Sequence, residues 1–137
     1  MIVVAILATL AAIAIPKFTL IVEKSREGAT KGNLGSIRAA CSLYYGSTGG
    51  IWPSTLQSSQ TYAMSAYLSE IPKVEVTGVF IASPISPAGS IVTYTTSNSA
   101  PTGPSSGWLY DSTNGHTYVN STIHDSQAVA FSFYGFE

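Results

Sequence analysis

The chain opens on an apolar run. From Met1 to Ile15 the one polar side chain is Thr9, whose hydroxyl can bond back to helix carbonyls. Fifteen helical residues span about 22 Å, short of the ~30 Å hydrocarbon core of a bilayer. Extension through Phe18, Leu20, Ile21 and Val22 reaches that length with Pro16 and Lys17 inside the span, and Lys17 can snorkel to the headgroups. Pro16 removes a backbone donor and disfavours helix at Ile15, so a kink or a melted turn is expected there. Beyond it, Thr30, Leu34, Ile37, Cys41 and Tyr44 recur at three- and four-residue spacing, which predicts an amphipathic helix with one face for a sheet.

After Tyr45 the pattern changes. Gly46-Ser47-Thr48-Gly49-Gly50 ends the helix, and a short helical piece is expected around Gln60–Leu68. Val74 and Val76, Ile91 and Tyr94, Trp108 and Tyr110, and Val129, Phe131 and Phe133 then alternate as strands with one buried face do. The run GWLYDSTNGHTYV (107–119) places two aromatic-rich segments around an Asn-Gly turn and predicts a hairpin. Residues 83–107 are rich in Ser, Thr, Pro and Gly, as in an exposed loop, with a short strand at Ile91–Thr95. The expected fold class is α+β: one long helix, kinked near Pro16, whose second half packs on a small antiparallel sheet.

Length and charge narrow the choices. At 137 residues the chain has room for one domain, divided into an apolar segment 1–22, an amphipathic segment 23–45 and a loop-rich head 46–137. Charged residues are only 9% and the net charge is −1, so the basic surface that nucleic acid requires is missing. The balance conceals an asymmetry. Five of the six basic residues lie between 17 and 38 with two acids, a local charge of +3, whereas the chain from Ala39 onward carries −4. That split reads either as a solvated helix face beside a mildly acidic head or as a basic stem that packs against acidic surface on another subunit. Gly28, Gly32 and Gly35 each cost the helix roughly 1 kcal/mol relative to alanine. Gly28-x-x-x-Gly32 leaves two bare patches on one side, where another helix can approach closely, unless the glycines are simply weak points in an exposed stem.

Residues 1–18, MIVVAILATLAAIAIPKF, closely resemble the N-terminal helix of type IV pilins and of the pseudopilins of type II secretion. Gly50-Ile51-Trp52-Pro53-Ser54-Thr55-Leu56 is similar to the Gly-x-Tyr-Pro-x-x-Leu segment that follows the long helix in that superfamily, with Trp52 in place of Tyr. Mature members begin a few residues earlier, with an aromatic residue and a glutamate, so the chain as given reads as shortened at its N-terminus. The resemblance implies a structural subunit of a type IV pilus-like filament: Ile6, Leu10, Ile13, Ile15, Pro16 and Phe18 pack its core, and Leu34, Ile37, Cys41 and Tyr44 pack the helix on the sheet. It implies as partners identical copies, the inner membrane before assembly, and pilus or secretion machinery, with an extracellular or periplasm-spanning destination. A major pseudopilin of type II secretion is the near alternative; the missing C-terminal disulfide pair favours it, and the hydroxyl-rich aromatic head favours a pilus. A membrane-anchored ligand-binding module is the alternative of another class. Family members are glycosylated on such loops, which makes Ser97, Ser99, Thr102, Ser105 and Ser106 candidates for O-glycosylation.

Catalytic chemistry finds no constellation. Cys41 is alone, His116 and His124 match no zinc spacing, and no phosphate loop follows a strand. Major pseudopilins carry an aspartate-rich calcium loop near the C-terminus, whose ligands are not found here, so the expectation is no enzyme, no metal and no cofactor. Asn120-Ser121-Thr122 fits the N-glycosylation pattern.

Overall fold

The computed structural model describes residues 1–57, 64–76, 89–97, 101 and 104–134. One helix, α1 (Ile2–Ser47), dominates it; its 46 residues extend for about 69 Å. The three strands β1 (Val92–Thr95), β2 (Pro104–Asp111) and β3 (Thr117–Ser121) form one sheet in that order. The α+β class therefore holds, with the second half of α1 on the sheet.

The sheet is mixed rather than antiparallel. β1 runs parallel to β2, pairing Val92 with Trp108 and Thr95 with Asp111, and only β2 and β3 are antiparallel. Side-chain alternation reports which face is buried but carries no information on strand direction, which the connection decides. No turn melts at Pro16 either: α1 stays helical through it. Proline deletes a single intrahelical donor, and Thr19 Oγ1 donates to the Pro16 carbonyl at 2.9 Å. The helix ends where glycine permits it. Thr48 N and Oγ1 both donate to the Tyr44 carbonyl, and Gly49 and Gly50 turn the chain away at φ 72° and 98°.

The core lies between α1 and the sheet. Leu34, Ile37, Ala40, Cys41 and Tyr44 meet Trp108, Tyr110 and Val119, with Leu56, Met64, Val74, Val76, Ile123 and Phe131 around them. Each large side chain so placed is worth about 1.5–3 kcal/mol in removed apolar surface. The buried aromatics also satisfy their polar ends: Trp108 Nε1 donates to the Pro72 carbonyl and Tyr110 Oη to the Pro53 carbonyl, both at 2.7 Å. Residues 107–111 of β2 and all of β3 are buried, so both faces are covered where one was expected. The reason for β3 is that α1 lies against it and the segment from Ile123 to Tyr134 folds back along it, Phe131 N donating to the Ile123 carbonyl.

That segment corrects a third expectation. Val129, Phe131 and Phe133 are not a strand; Phe131–Phe133 is a 3₁₀ turn, and only Phe131 of the three is buried. Asp125 Oδ1 accepts from the N–H groups of Gln127 and Val129, and Ala128 takes φ 63°, which curls the backbone before a strand can run. Val74 meets Gly89 only as an isolated bridge. Of the helical piece expected around Gln60–Leu68, Met64–Ala66 forms a 3₁₀ turn, and residues 60–63 lie outside the described residues.

The β2–β3 hairpin is closed by Gly115 at φ 72°, where an added Cβ would lie 2.1 Å from the Trp52 ring. Gly115→Ala therefore combines a left-handed alanine, about 1–2 kcal/mol, with displacement of the indole. The expected outcome is a urea midpoint lowered by the equivalent of at least about 2 kcal/mol; a loss confined to the left-handed cost of about 1–2 kcal/mol would show that the indole gives way freely, and an unchanged midpoint would contradict both contributions.

Candidate functional site

The surface that sets this chain apart is the first half of α1. Every residue from Met1 to Ile21 is exposed, including Ile6, Leu10, Ile13, Ile15, Pro16 and Phe18. Ile13 is 62% and Phe18 67% accessible. The apolar side chains are distributed around the whole circumference, and a helix of that kind belongs in a bilayer or inside a bundle of other helices. The segment is long and apolar enough to cross a membrane, a property it shares with signal sequences.

The second half of α1 is held by its own head. Leu34, Ile37, Cys41 and Tyr44 are brought together in the core. Polar ties flank this apolar stripe along the stem. Thr30 Oγ1 donates to the Arg26 carbonyl and accepts from Glu75 N at 3.0 Å, and Asn33 Nδ2 donates to the Lys73 carbonyl at 2.8 Å. Glu27 accepts two bonds from Ser126, from its N–H and its hydroxyl, and Lys31 Nζ lies 4.5 Å over the Tyr134 ring. Arg38 Nη2 donates to the Thr117 carbonyl at 3.3 Å. These attachments run from Glu27 to Tyr44, and residues 1–21 extend beyond them.

The Gly50–Leu56 segment joins the helix end to the sheet. Trp52 stacks on Tyr45 with ring centroids 4.2 Å apart and lies over Gly115, while Leu56 is buried and its N–H donates to Tyr94 Oη. Residues 27, 31 and 126, which fasten the lower head, escaped the sequence reading. Glu27 and Lys31 have the spacing of an ordinary surface ion pair, and only the clustering of Asp125, Ser126 and Gln127 before an apolar run marked a turn.

Reactive groups serve the fold. Burial raises the Cys41 thiol to about 11, a range in which it is inert at neutral pH. Asp111 Oδ1 accepts from Thr113 N and Oγ1, and exposed His116 contacts Tyr118 Oη through Nδ1. Among the described residues no group of three His, Cys, Asp or Glu side chains is placed to hold a metal ion. Asn120 is buried with Nδ2 donating to Thr93 Oγ1, which occupies the amide that glycosylation would need. Ser97 and Ser105 are exposed and Ser106 is half-buried, whereas Ser99 and Thr102 lie outside the described residues. No family model, no curated protein and no solved structure matches the chain.

Burial opposes the charged form of Asp125, but the hydroxyl of Tyr134, the N–H groups of Val129 and Gln127, and Lys31 nearby outweigh it and hold the carboxyl below its ordinary value of 3.8. A carboxyl lowered by folding stabilises the protein above its unfolded pKa, and that contribution is lost as the pH falls through the folded one. Urea titrations should therefore show stability declining below about pH 4. Asp125→Asn should flatten that limb and lower stability at pH 7 by about 1–3 kcal/mol; an unchanged acid limb would place the titration elsewhere.

Proposed function

We propose that this chain is a structural subunit of a helical, type IV pilus-like extracellular filament, assembled by bundling of its N-terminal helices. The observation that carries the reading is the division of α1: the head grips residues 27–44, and an apolar stretch of similar length, residues 1–21, is left without a partner among the described residues. The resemblance of residues 1–18 and 50–56 to pilins points the same way.

The mechanism is one of exchanged surroundings. In the membrane, lipid surrounds Ile6, Leu10, Ile13, Ile15 and Phe18; in the filament, the same faces meet helices of neighbouring copies, with Pro16 among them. Apolar surface stays out of water in both states, so the transfer carries no large hydrophobic penalty. Copies of this chain, the inner membrane and an assembly apparatus are the partners, and no step requires a cofactor, a metal or nucleic acid.

A second reading, a membrane-anchored binding module, rests on an open cleft of about 380 Å³ beside Leu56, Leu68, Glu70 and Ser90. Electron microscopy of sheared cell-surface material separates the two. Filaments that contain this chain and disappear on Ile13→Asp are expected; a detergent-soluble monomer with no filaments would overturn the proposal in favour of the module. Filaments that stay in the envelope after shearing would identify the pseudopilus instead.

A further inference from the structure

Two segments of the head flank α1. On one side residues 67–75 run down the helix: Tyr67 Oη donates to Ser47 Oγ, and lower down the Lys73 carbonyl and Glu75 N meet Asn33 and Thr30. On the other side Thr117, Ser126 and Tyr134 stand at Arg38, Glu27 and Lys31. At about 100° per residue, Asn33 and Ser47 fall about 60° and 100° to one side of Thr30, whereas Glu27, Arg38 and Lys31 fall about 60°, 80° and 100° to the other. Lys24 and Lys17 continue this second side, about 120° and 140° from Thr30, and both are exposed.

Exposed carboxylates keep to the opposite side. Among the described residues they are Glu70 and Glu75, both on the 67–75 segment. Glu75 follows Lys73, and its N–H is held by Thr30, whose hydroxyl donates to the Arg26 carbonyl, so two cations share its stretch of that flank. Glu70 is set apart from them. It is the one charged residue lining the 380 Å³ cleft, whose walls include Leu56, Leu68 and Ile71. Lys17 is isolated in the converse sense, as the single charged side chain of residues 1–22, standing among exposed Ile13, Phe18, Leu20 and Ile21. Neither Lys17 nor Glu70 has an ionic partner among the described residues. In lipid the Lys17 ammonium reaches the headgroups; inside a bundle of helices it needs a carboxylate, because an unpaired charge held away from water is strongly disfavoured.

From this placement we infer that Lys17 of one copy enters the cleft of a neighbouring copy and pairs with its Glu70. The inference rests on the filament reading and adds the contact that sets the stagger between copies. Leu56, Leu68 and Ile71 receive the lysine methylenes while the carboxylate accepts from the ammonium. Glu70 is midway between Tyr67, at the level of Ser47, and Lys73, at the level of Asn33, which places it near residue 40 of the helix. That level is 23 residues above Lys17, so the paired copies are displaced by about 34 Å along the axis. The same separation keeps the two residues apart within one chain. Because lysine and cleft lie on opposite sides of the subunit, every copy both gives and receives, a head-to-tail contact that the axial displacement keeps from closing into a ring.

The test uses sheared filaments of the full chain and a water-soluble carbodiimide, which joins a carboxylate to an amine only where the two touch. The expected result is a ladder of covalent multimers whose cross-linked peptides carry Lys17 and Glu70. Lys17→Arg should keep the filaments and lose the ladder, since a guanidinium preserves the charge but is not coupled. Lys17→Glu and Glu70→Lys should each lower filament yield at least about tenfold, and the two together should restore it to within about twofold. The amount of each variant in the membrane fraction is measured alongside; if Lys17→Glu does not reach the membrane, the cross-link on unaltered filaments decides alone. Cross-links from Lys24 instead of Lys17, or to Glu75 instead of Glu70, overturn the inference, as do filaments insensitive to both charge reversals. Unaltered protein that forms no filaments overturns the filament reading beneath it.

Discussion

Everything in this molecule follows from one helix having to satisfy two environments. Apolar side chains in water cost free energy in proportion to their exposed area, and α1 carries them around its full circumference for the first half of its length and along a single stripe for the second. The stripe is covered within the chain by the head. The full circumference is left exposed by the described residues. A head that covered neither half would leave a long helix with no folded partner.

The polar ties matter because the apolar stripe alone does not fix where along α1 the head sits. Helical faces repeat every turn, so a sheet could slide by a turn and still find apolar contacts. Glu27 with Ser126, Thr30 with Glu75, Asn33 with Lys73 and Arg38 with Thr117 occur at unequal spacings along the axis. A slide would break all of them together and leave donors and acceptors, most of them part-buried, unpaired. Thr30 is the most constrained of these, since its one hydroxyl serves both α1 and the head from a fully buried position.

Different parts of this arrangement were legible to different degrees. The stripe Leu34, Ile37, Cys41, Tyr44 was readable because helical periodicity is a local property, and the hairpin because aromatic runs around Asn114-Gly115 are too. The direction of β1 was not, since it depends on a connection whose path no side-chain pattern encodes. Val129, Phe131 and Phe133 read as a strand because they alternate, while the Asp125 carboxylate, taking backbone N–H groups, curls the chain before them into a turn. The bond from Ser126 to Glu27 joins residues 99 positions apart, and two polar residues in separate surface-like contexts give no sign of each other. Pro16 was read as a breaker, but one missing donor does not end a helix whose other bonds continue on both sides.

The ties also determine how the molecule responds to force. β3 descends alongside α1 from the level of Arg38, and the chain after it reaches Glu27, so the attachments are distributed along the axis rather than gathered at one end. A pull applied along α1 loads them side by side, in shear, and each bears a share; a pull directed outward on the head would instead open them one after another, beginning at the Ser126 end or at Trp52. The head is thus strong along the direction of its own helix and weak across it, a mechanical anisotropy that comes from where four hydrogen-bonded contacts happen to be spaced.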